Sequence, residues 1–488
     1  MMWGARVKAP SLEALRYTSS IAFDDRIALD VVRVNLAHLL MLFKQGIIGL
    51  EDAQRIYRSL RRMLKGVELR EELEDVHMCV EDEVVRDVGL DVGGKLHTGK
   101  SRNDQVATAL RMTAKRFCSQ LALEVLGLQE ALLSQSERHI DTVMPGYTHL
   151  QHAQPVTLAH QFLAYYDKLS RDVDRLLKVY ERADESPMGS GALAGSSFNL
   201  DREYVAKLLG FSKIQENTTD AVSDRDFMVE LAFASSMLMV HLSGLAEDLI
   251  IWSTWEYGFA EMPDAYSSTS SVMPQKKNPT VAEVVRARAS HAIGMLTGSL
   301  TLLKALPLSY NLDLQELTPL VWQAVEVAMS SCRVMRGVVE GLQFDVKRMY
   351  DAAETGFSSA TELANELVRR FNMPFRVAYR VAGRVVKEAV DMGLAPSDVS
   401  PEMLRRAARA EGYELEVDEE LLKRALNPLN CVSSCRVLGG PSMESVKDMI
   451  DRRKSYIKSV VQKVLELKSR AEGVDEVLQA EAKRLGVA

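Results

Sequence analysis

Apolar residues recur at helical spacing over long stretches of this chain. Leu121-Ala-Leu-Glu-Val-Leu-Gly-Leu-Gln-Glu-Ala-Leu-Leu133 places its apolar groups on one helix stripe. No proline falls between Pro10 and Pro145, Pro187 and Pro263, or Pro319 and Pro374. Proline breaks helix interiors, so these gaps have room for very long helices. The pattern predicts long helices over about 105–140, 157–184, 225–256, 279–305 and 318–341. Medium helices fill 11–97, broken at Gly93-Gly94, and shorter segments follow from about 355. Alternating strands with turn pairs are not visible, so the expected fold is all-α. The expected domains are an N-terminal helical domain (1–104), an elongated long-helix bundle (105–355) and a C-terminal helical domain (356–488).

Polar segments interrupt the helices at 98–105, 145–154, 267–279 and 307–318. Ser101-Arg-Asn-Asp104 precedes a helix that Asn103 or Asp104 can cap. Met144 to Pro155 reads as a polar turn between two helices. Ser223-Asp-Arg-Asp226 matches a capping box. Asn278 suits an N-cap and Pro279 a first helical position. Thr318-Pro319 suits the start of a further helix. Some of the long helices are apolar around much of their circumference. A lone bundle of that length cannot hide so much apolar surface, which predicts self-association.

Composition narrows the function classes. The 488 residues include 47% hydrophobic and 26% charged positions, ordinary for a water-exposed globular protein. The net charge is −7 with the signs interspersed, which gives no support to nucleic-acid or membrane-surface binding. Met-Met-Trp-Gly-Ala-Arg lacks a signal-peptide core. The uncharged stretch between Glu230 and Glu247 reads as a buried helix, too short and too polar to span a bilayer. Five scattered cysteines suit a reducing cytoplasm, with Cys431 and Cys435 read as free thiols.

The polar segments bring hydroxyls, amides and cations rather than nucleophile-and-base sets. Gly189-Ser-Gly-Ala-Leu-Ala-Gly195 lacks the lysine and spacing of a P-loop, and no dinucleotide fingerprint occurs. Neither HExxH nor paired CxxC is present, and His149 and His152, three apart, do not by themselves make a metal site. No cofactor or metal is implied. Ser267 to Pro279 packs hydroxyls, Lys276, Lys277 and Asn278 before a helix start, a combination suited to a carboxylate and to a mobile loop. Such a site fits proton abstraction beside a carboxylate followed by loss of a β-substituent. That reaction needs a base, a cation with N–H donors for the oxyanion, and an acid for the leaving group. Taken singly, His149 is an ordinary histidine beside a turn, Glu283 a helix-surface charge, Arg225 a first-turn surface residue and Tyr310 turn packing. His77 suits a structural role as well as a functional one.

Together the motifs carry more. Ser270-Ser-Val-Met-Pro-Gln-Lys-Lys-Asn-Pro279 resembles the hallmark loop of the fumarase/aspartase superfamily. Within it, the chain is similar to the argininosuccinate lyases through Asp75-Val-His77, Lys95 to Thr108, Gly146 to Pro155, Gly189 to Gly195, Asp220 to Phe227 and Leu306 to Gln315. The likeness runs from about residue 20 to 445. It implies reversible anti-elimination of argininosuccinate to arginine and fumarate by a homotetramer whose active sites each draw on three subunits. By motif position the resemblance implies Ser270 as the base. Lys276 and Asn278 then hold the carboxylate that becomes the aci-dianion. His149 is the implied acid or acid relay, oriented by Glu283, with Thr148 beside it. Ser101, Arg102, Asn103, Arg225, Tyr310 and Gln315 fall on substrate-binding positions. Thr269, Thr280, Leu312, Leu317, Thr318 and the pair Val34-Asn35 depart from the usual pattern. A sibling lyase for aspartate, adenylosuccinate or a carboxymuconate, or a silent structural homologue, are the alternatives.

Overall fold

The computed structural model describes residues 11–488; the N-terminal hexapeptide expectation lies outside them. Five helices carry the long bundle: Arg102–Arg138, Leu158–Ala183, Asp226–Trp252, Thr280–Leu303 and Asp313–Gly341. The first has 37 residues, about 55 Å at 1.5 Å per residue. Direct contacts set their directions. Arg111 donates to the Arg182 carbonyl, and Gln129 to that of Tyr166, so the 102–138 and 158–183 helices run antiparallel. Arg286 meets Glu247, and the Ser236 hydroxyl donates to the Ala292 carbonyl, so 226–252 and 280–303 also run antiparallel. Phe117 packs edge-on to Trp322, and Gln135 donates to the Val339 carbonyl, so 313–341 runs parallel to 102–138. The bundle therefore has two distinct ends. Residues 102, 183, 226, 303 and 313 lie at one, and residues 138, 158, 252, 280 and 341 at the other.

Among the described residues two large apolar cores form, with a small third cluster at Val143, Ala353 and Val432. The first gathers the bundle, the early helices such as Ala28–Lys44, and also Met443–Glu472 and Val474–Arg484. The last two helices thus return to the bundle, where Arg33 pairs with Asp475 and Arg453 with Asp167. The second core spans Leu363 to Leu426. The 226–252 helix reaches 27 residues because helical geometry continues past both glutamates that bound its uncharged centre. By length and composition it is long and apolar enough to cross a membrane, whereas the sequence predicts a segment too short for that. Phe227, Leu231, Leu238, Met239 and Leu245 are buried in the first core, and the helix packs along 280–303 and 313–341.

Five local expectations need correction. Residues 143–157 are not a polar turn but an antiparallel hairpin, Val143–Thr148 with Gln151–Thr157. Its two-residue turn is His149-Leu150, both at positive φ (54° and 56°). Turns of that kind favour Asn-Gly, so the sequence carried no hairpin signal. Ser101, not Asn103, caps the 102–138 helix, and Asp104 completes a capping box. Ser223 ends a short helix, bonding back to Thr219 and Asp220, and leaves Asp224 to accept from the Asp226 amide. Asn278 pairs with Ser268 in a two-rung ladder, so helix 280–303 starts after Pro279 without a side-chain cap. Pro319 lies inside helix 313–341, whose start is Asp313. The first turn forms there because Leu314 and Gln315 already bond back to Asn311 and Leu312.

Candidate active site

At the 102 end, the N-cap and first turn of the long helix carry three of the expected binding residues. The Ser101 hydroxyl accepts from the Asn103 amide. Arg102 donates to Asp75 at 3.0 Å and Glu74 at 3.3 Å. The Asn103 amide donates to the Ala192 carbonyl at 3.0 Å. Arg102, Asn103, Tyr310 and Gln315 line one small cavity with Asp24, Asp75 and His77. Gln315 is held by its bond to the Thr18 carbonyl at 2.9 Å.

Burial sets the electrostatics here. Desolvation pushes the Asp24 carboxyl up to about 7, against hydrogen bonds from the Val76 amide and the Ser20 hydroxyl that pull it down. Both His77 ring nitrogens are buried without a partner among the described residues. Burial, reinforced by the charges of Arg102 and Lys100, takes that imidazole down to about 3, so it is neutral at pH 7. Arg225 is 2% exposed rather than the surface residue its position suggests. Its Nε and Nη2 have no partner, and burial lowers its guanidinium to about 10. It lines a second cavity with Asp224, Leu306, Ser309 and Leu314, and Leu314 also lines the first. Burial raises the Tyr310 phenol, while the nearby Arg225 charge lowers it.

The remaining residues lie at the opposite end. Thr148 and His149 are exposed at the hairpin tip. The segment 270–276 is a loop closed at its base by Ser268–Thr269 pairing with Lys277–Asn278. The Ser270 hydroxyl accepts from the amides of Val272 and Met273, at 3.2 and 3.0 Å. Lys276 donates to the Asn278 side-chain oxygen. Glu283 is exposed on the first turn of helix 280–303. Among the described residues, no hydrogen bond or ion pair joins His149 to Glu283 or to Ser270. The expected site residues thus lie at two ends of the bundle, separated by helices of about 40 Å or more (27 residues at 1.5 Å each for 226–252).

Asp24 and Asp75 escaped the sequence reading as site residues. Asp75 had a signal, an N-cap position before an apolar run, and it does accept from the Met78 amide at 2.8 Å. Asp24 had none, because only the packing of 11–26 against 74–77 brings it to the cavity.

Comparison with known proteins bears on the family of the chain. A lyase family model matches residues 14–294, and a model of the argininosuccinate lyase C-terminal region matches 357–433. The chain is 44% identical over 452 residues to the argininosuccinate lyase of Methanothermobacter thermautotrophicus, covering 92% of this chain and 96% of that one. It is 43% identical to the argininosuccinate lyase of Methanothrix thermoacetophila, covering 98% and 100%. A crystal structure of EDDS lyase in complex with formate superposes with a TM-score of 0.88 at 29% identity, covering 98% of this chain and 96% of that one. With its helical bundle and its two family models, the chain belongs to the argininosuccinate lyase family.

Proposed function

We propose that this protein catalyses the reversible anti β-elimination of argininosuccinate to arginine and fumarate, the arginine-forming step of arginine biosynthesis. The observation that carries it is the content of the two bundle ends. One end holds a hydroxyl, an ammonium and an amide on an exposed loop. The other holds a cavity with both basic and acidic side chains. In the proposed reaction Ser270 takes the Cβ proton once the loop closes and excludes water. Lys276 and Asn278 stabilise the two negative charges that build on the adjacent carboxylate. The Cα–N bond then breaks, and a proton reaches the leaving guanidino nitrogen through His149, with Thr148 and Glu283 supporting it. Arg102, Ser101, Asn103, Arg225, Tyr310 and Gln315 bind the substrate. Glu74 and Asp75 supply the negative charge that suits a cationic arginine half.

The working unit in this reading is a homotetramer. One chain leaves the two groups of residues at opposite ends of its bundle, so a complete site needs neighbouring copies lying antiparallel alongside it. Phe233, Val240, Val284, Ile293 and Leu300 are exposed on the 226–252 and 280–303 helices, a face suited to packing against another copy. Of the division into 1–104, 105–355 and 356–488, the middle part forms the shared core in this view, with helices 443–472 and 474–484 of the last part packed back onto it. A cytoplasmic setting suits the five free cysteines.

A second substrate has support from the likeness to EDDS lyase, one structure of which holds fumarate. Following fumarate absorbance with argininosuccinate, adenylosuccinate, aspartate and EDDS separates these readings. Turnover of argininosuccinate at the highest kcat/KM supports the proposal. Turnover of another substrate in its place reverses it.

A further inference from the structure

We infer that Asn35 is a positioning residue for the substrate-binding turn 101–103, acting through Lys100 and Gln105; the inference rests on the function proposed above. Asn35 sits in the middle of the Ala28–Lys44 helix and is 3% exposed. Asparagine is a weak helix former, and an amide without partners is costly to bury. Here every polar atom of the amide is engaged. Its NH2 donates to the Val31 carbonyl at 2.8 Å, which turns the oxygen toward the 98–105 segment. That oxygen accepts from the Lys100 ammonium and from Gln105 Nε2 at 3.2 Å. One acceptor therefore holds the residues on both sides of Ser101, Arg102, Asn103 and Asp104.

Two neighbouring contacts complete the clamp. One turn along the same helix, His38 Nε2 lies 2.9 Å from the Thr98 carbonyl. On the far side, Asp104 accepts from the amides of Ser101, Gly189 and Gly191 at 2.9, 3.1 and 2.9 Å. The turn is pinned at its flanks, while the Arg102 and Asn103 side chains line the cavity. Removing the Asn35 oxygen leaves a half-buried ammonium and a buried amide with one acceptor fewer, and frees one edge of the turn. The consequence falls on substrate binding rather than on the proton-transfer residues, which lie at the other end of the bundle.

The test compares Asn35→Leu with Asn35→Asp and the unaltered chain. Leucine keeps the size and removes the acceptor; aspartate keeps the oxygen. Loss of a charge-assisted hydrogen bond predicts an argininosuccinate KM roughly tenfold higher in Asn35→Leu, with kcat changed less than about threefold. Amide hydrogen exchange across 98–105 speeds up in the same variant. Asn35→Asp, which keeps the acceptor for Lys100 and Gln105 but loses the bond to the Val31 carbonyl, brings both readouts part of the way back toward the unaltered values. Unchanged KM and unchanged exchange in Asn35→Leu overturn the inference. So does a tenfold or greater fall in kcat with protection lost throughout the chain, which marks a purely structural residue. If the unaltered chain fails to turn over argininosuccinate, the proposed reaction falls, and the exchange comparison alone still decides whether Asn35 holds the turn.

Discussion

The Lys276 ammonium donates to the side-chain oxygen of Asn278 at 2.5 Å. The cation and the amide proposed to share one carboxylate are thus already within one carboxylate's reach of each other. Lys277, between them, points the other way and pairs with Glu261 and Asp264 at 2.9 and 2.6 Å. Strand alternation in the 277–278 rung explains the divergence. Lys276→Met is therefore expected to lower kcat/KM by about 10²–10³, the usual size of one lost oxyanion donor. Lys277→Met should cost less than about tenfold, since it loses exposed ion pairs. Steady-state kinetics on the two variants checks the contrast. Equal losses would mean that the loop matters as a whole and that Lys276 does not have the assigned role.

The separation of Ser270 from Arg102 predicts complementation. Ser270→Ala and Arg102→Ala each damage only one of the two groups of site residues. Each variant alone should be nearly inactive. Mixed after partial unfolding and refolding, the two should regain a substantial fraction of the unaltered activity, on the order of a quarter, because some mixed sites receive both intact groups. A mixture as inactive as its components would place a complete site within a single chain.

The exposed apolar face predicts an assembly that a single charge can break. Ile293→Arg puts a guanidinium in the middle of helix 280–303, where the parent side chain is 47% exposed. Light scattering should show smaller species at assay concentration, with helicity retained and activity down by at least about tenfold. An intact assembly would move the interface to another face.

Burial of Asp24 and His77 predicts opposite effects of pH on stability. Folding raises the Asp24 carboxyl from 3.8 to about 7. Between these values the folded chain keeps a proton that the unfolded chain has released, so this group's contribution falls as pH rises. Folding lowers the His77 imidazole from 6.5 to about 3. Between those values the unfolded chain binds a proton that the folded chain refuses, so this contribution falls as pH drops. Asp24→Asn should melt a few degrees above the parent at pH 8, with the gain vanishing near pH 4. His77→Gln should lose less stability than the parent between pH 6.5 and 4. Thermal melts across pH 4–8 test both signs.

Lys115 and Asp184 form a buried pair joining the 102–138 and 158–183 helices. They are 1% and 6% exposed at the side chain, with Nζ 2.5 Å from Oδ1. Lys115 also donates to the Gly210 carbonyl and lies over the Phe211 ring, and Arg470 reaches Asp184 from the 443–472 helix. Asp184→Ala leaves a buried ammonium without its carboxylate and should cost about 3–5 kcal/mol. Denaturant titration measures this directly. A loss below about 1 kcal/mol would mean that the Gly210 carbonyl and Phe211 suffice to hold the charge.

Much of the architecture was legible because helices announce themselves locally. The 102–138 and 158–183 helices lie within a few residues of the spans that periodicity and proline spacing predict. The misses have one physical type. The hairpin turn at His149-Leu150 and the interior Pro319 are choices that packing enforces against local preference. The return of 443–484 to the first core depends on partners more than 270 residues away, such as Tyr166 with Arg453 and Tyr180 with Leu467. No window along the chain contains that information.

The site divides the same way. By itself the amino-acid order determined which groups are available: the Ser270 loop, the 101–103 turn, Arg225, Tyr310 and Gln315 are picked out by the motifs through which the chain resembles the argininosuccinate lyases, not by their residue types taken singly. Only the tertiary structure decided which of them meet. Rigid helices about 40–55 Å long carry Arg102 and Ser270 to opposite ends of one bundle, and a helix cannot shorten to bring its ends together.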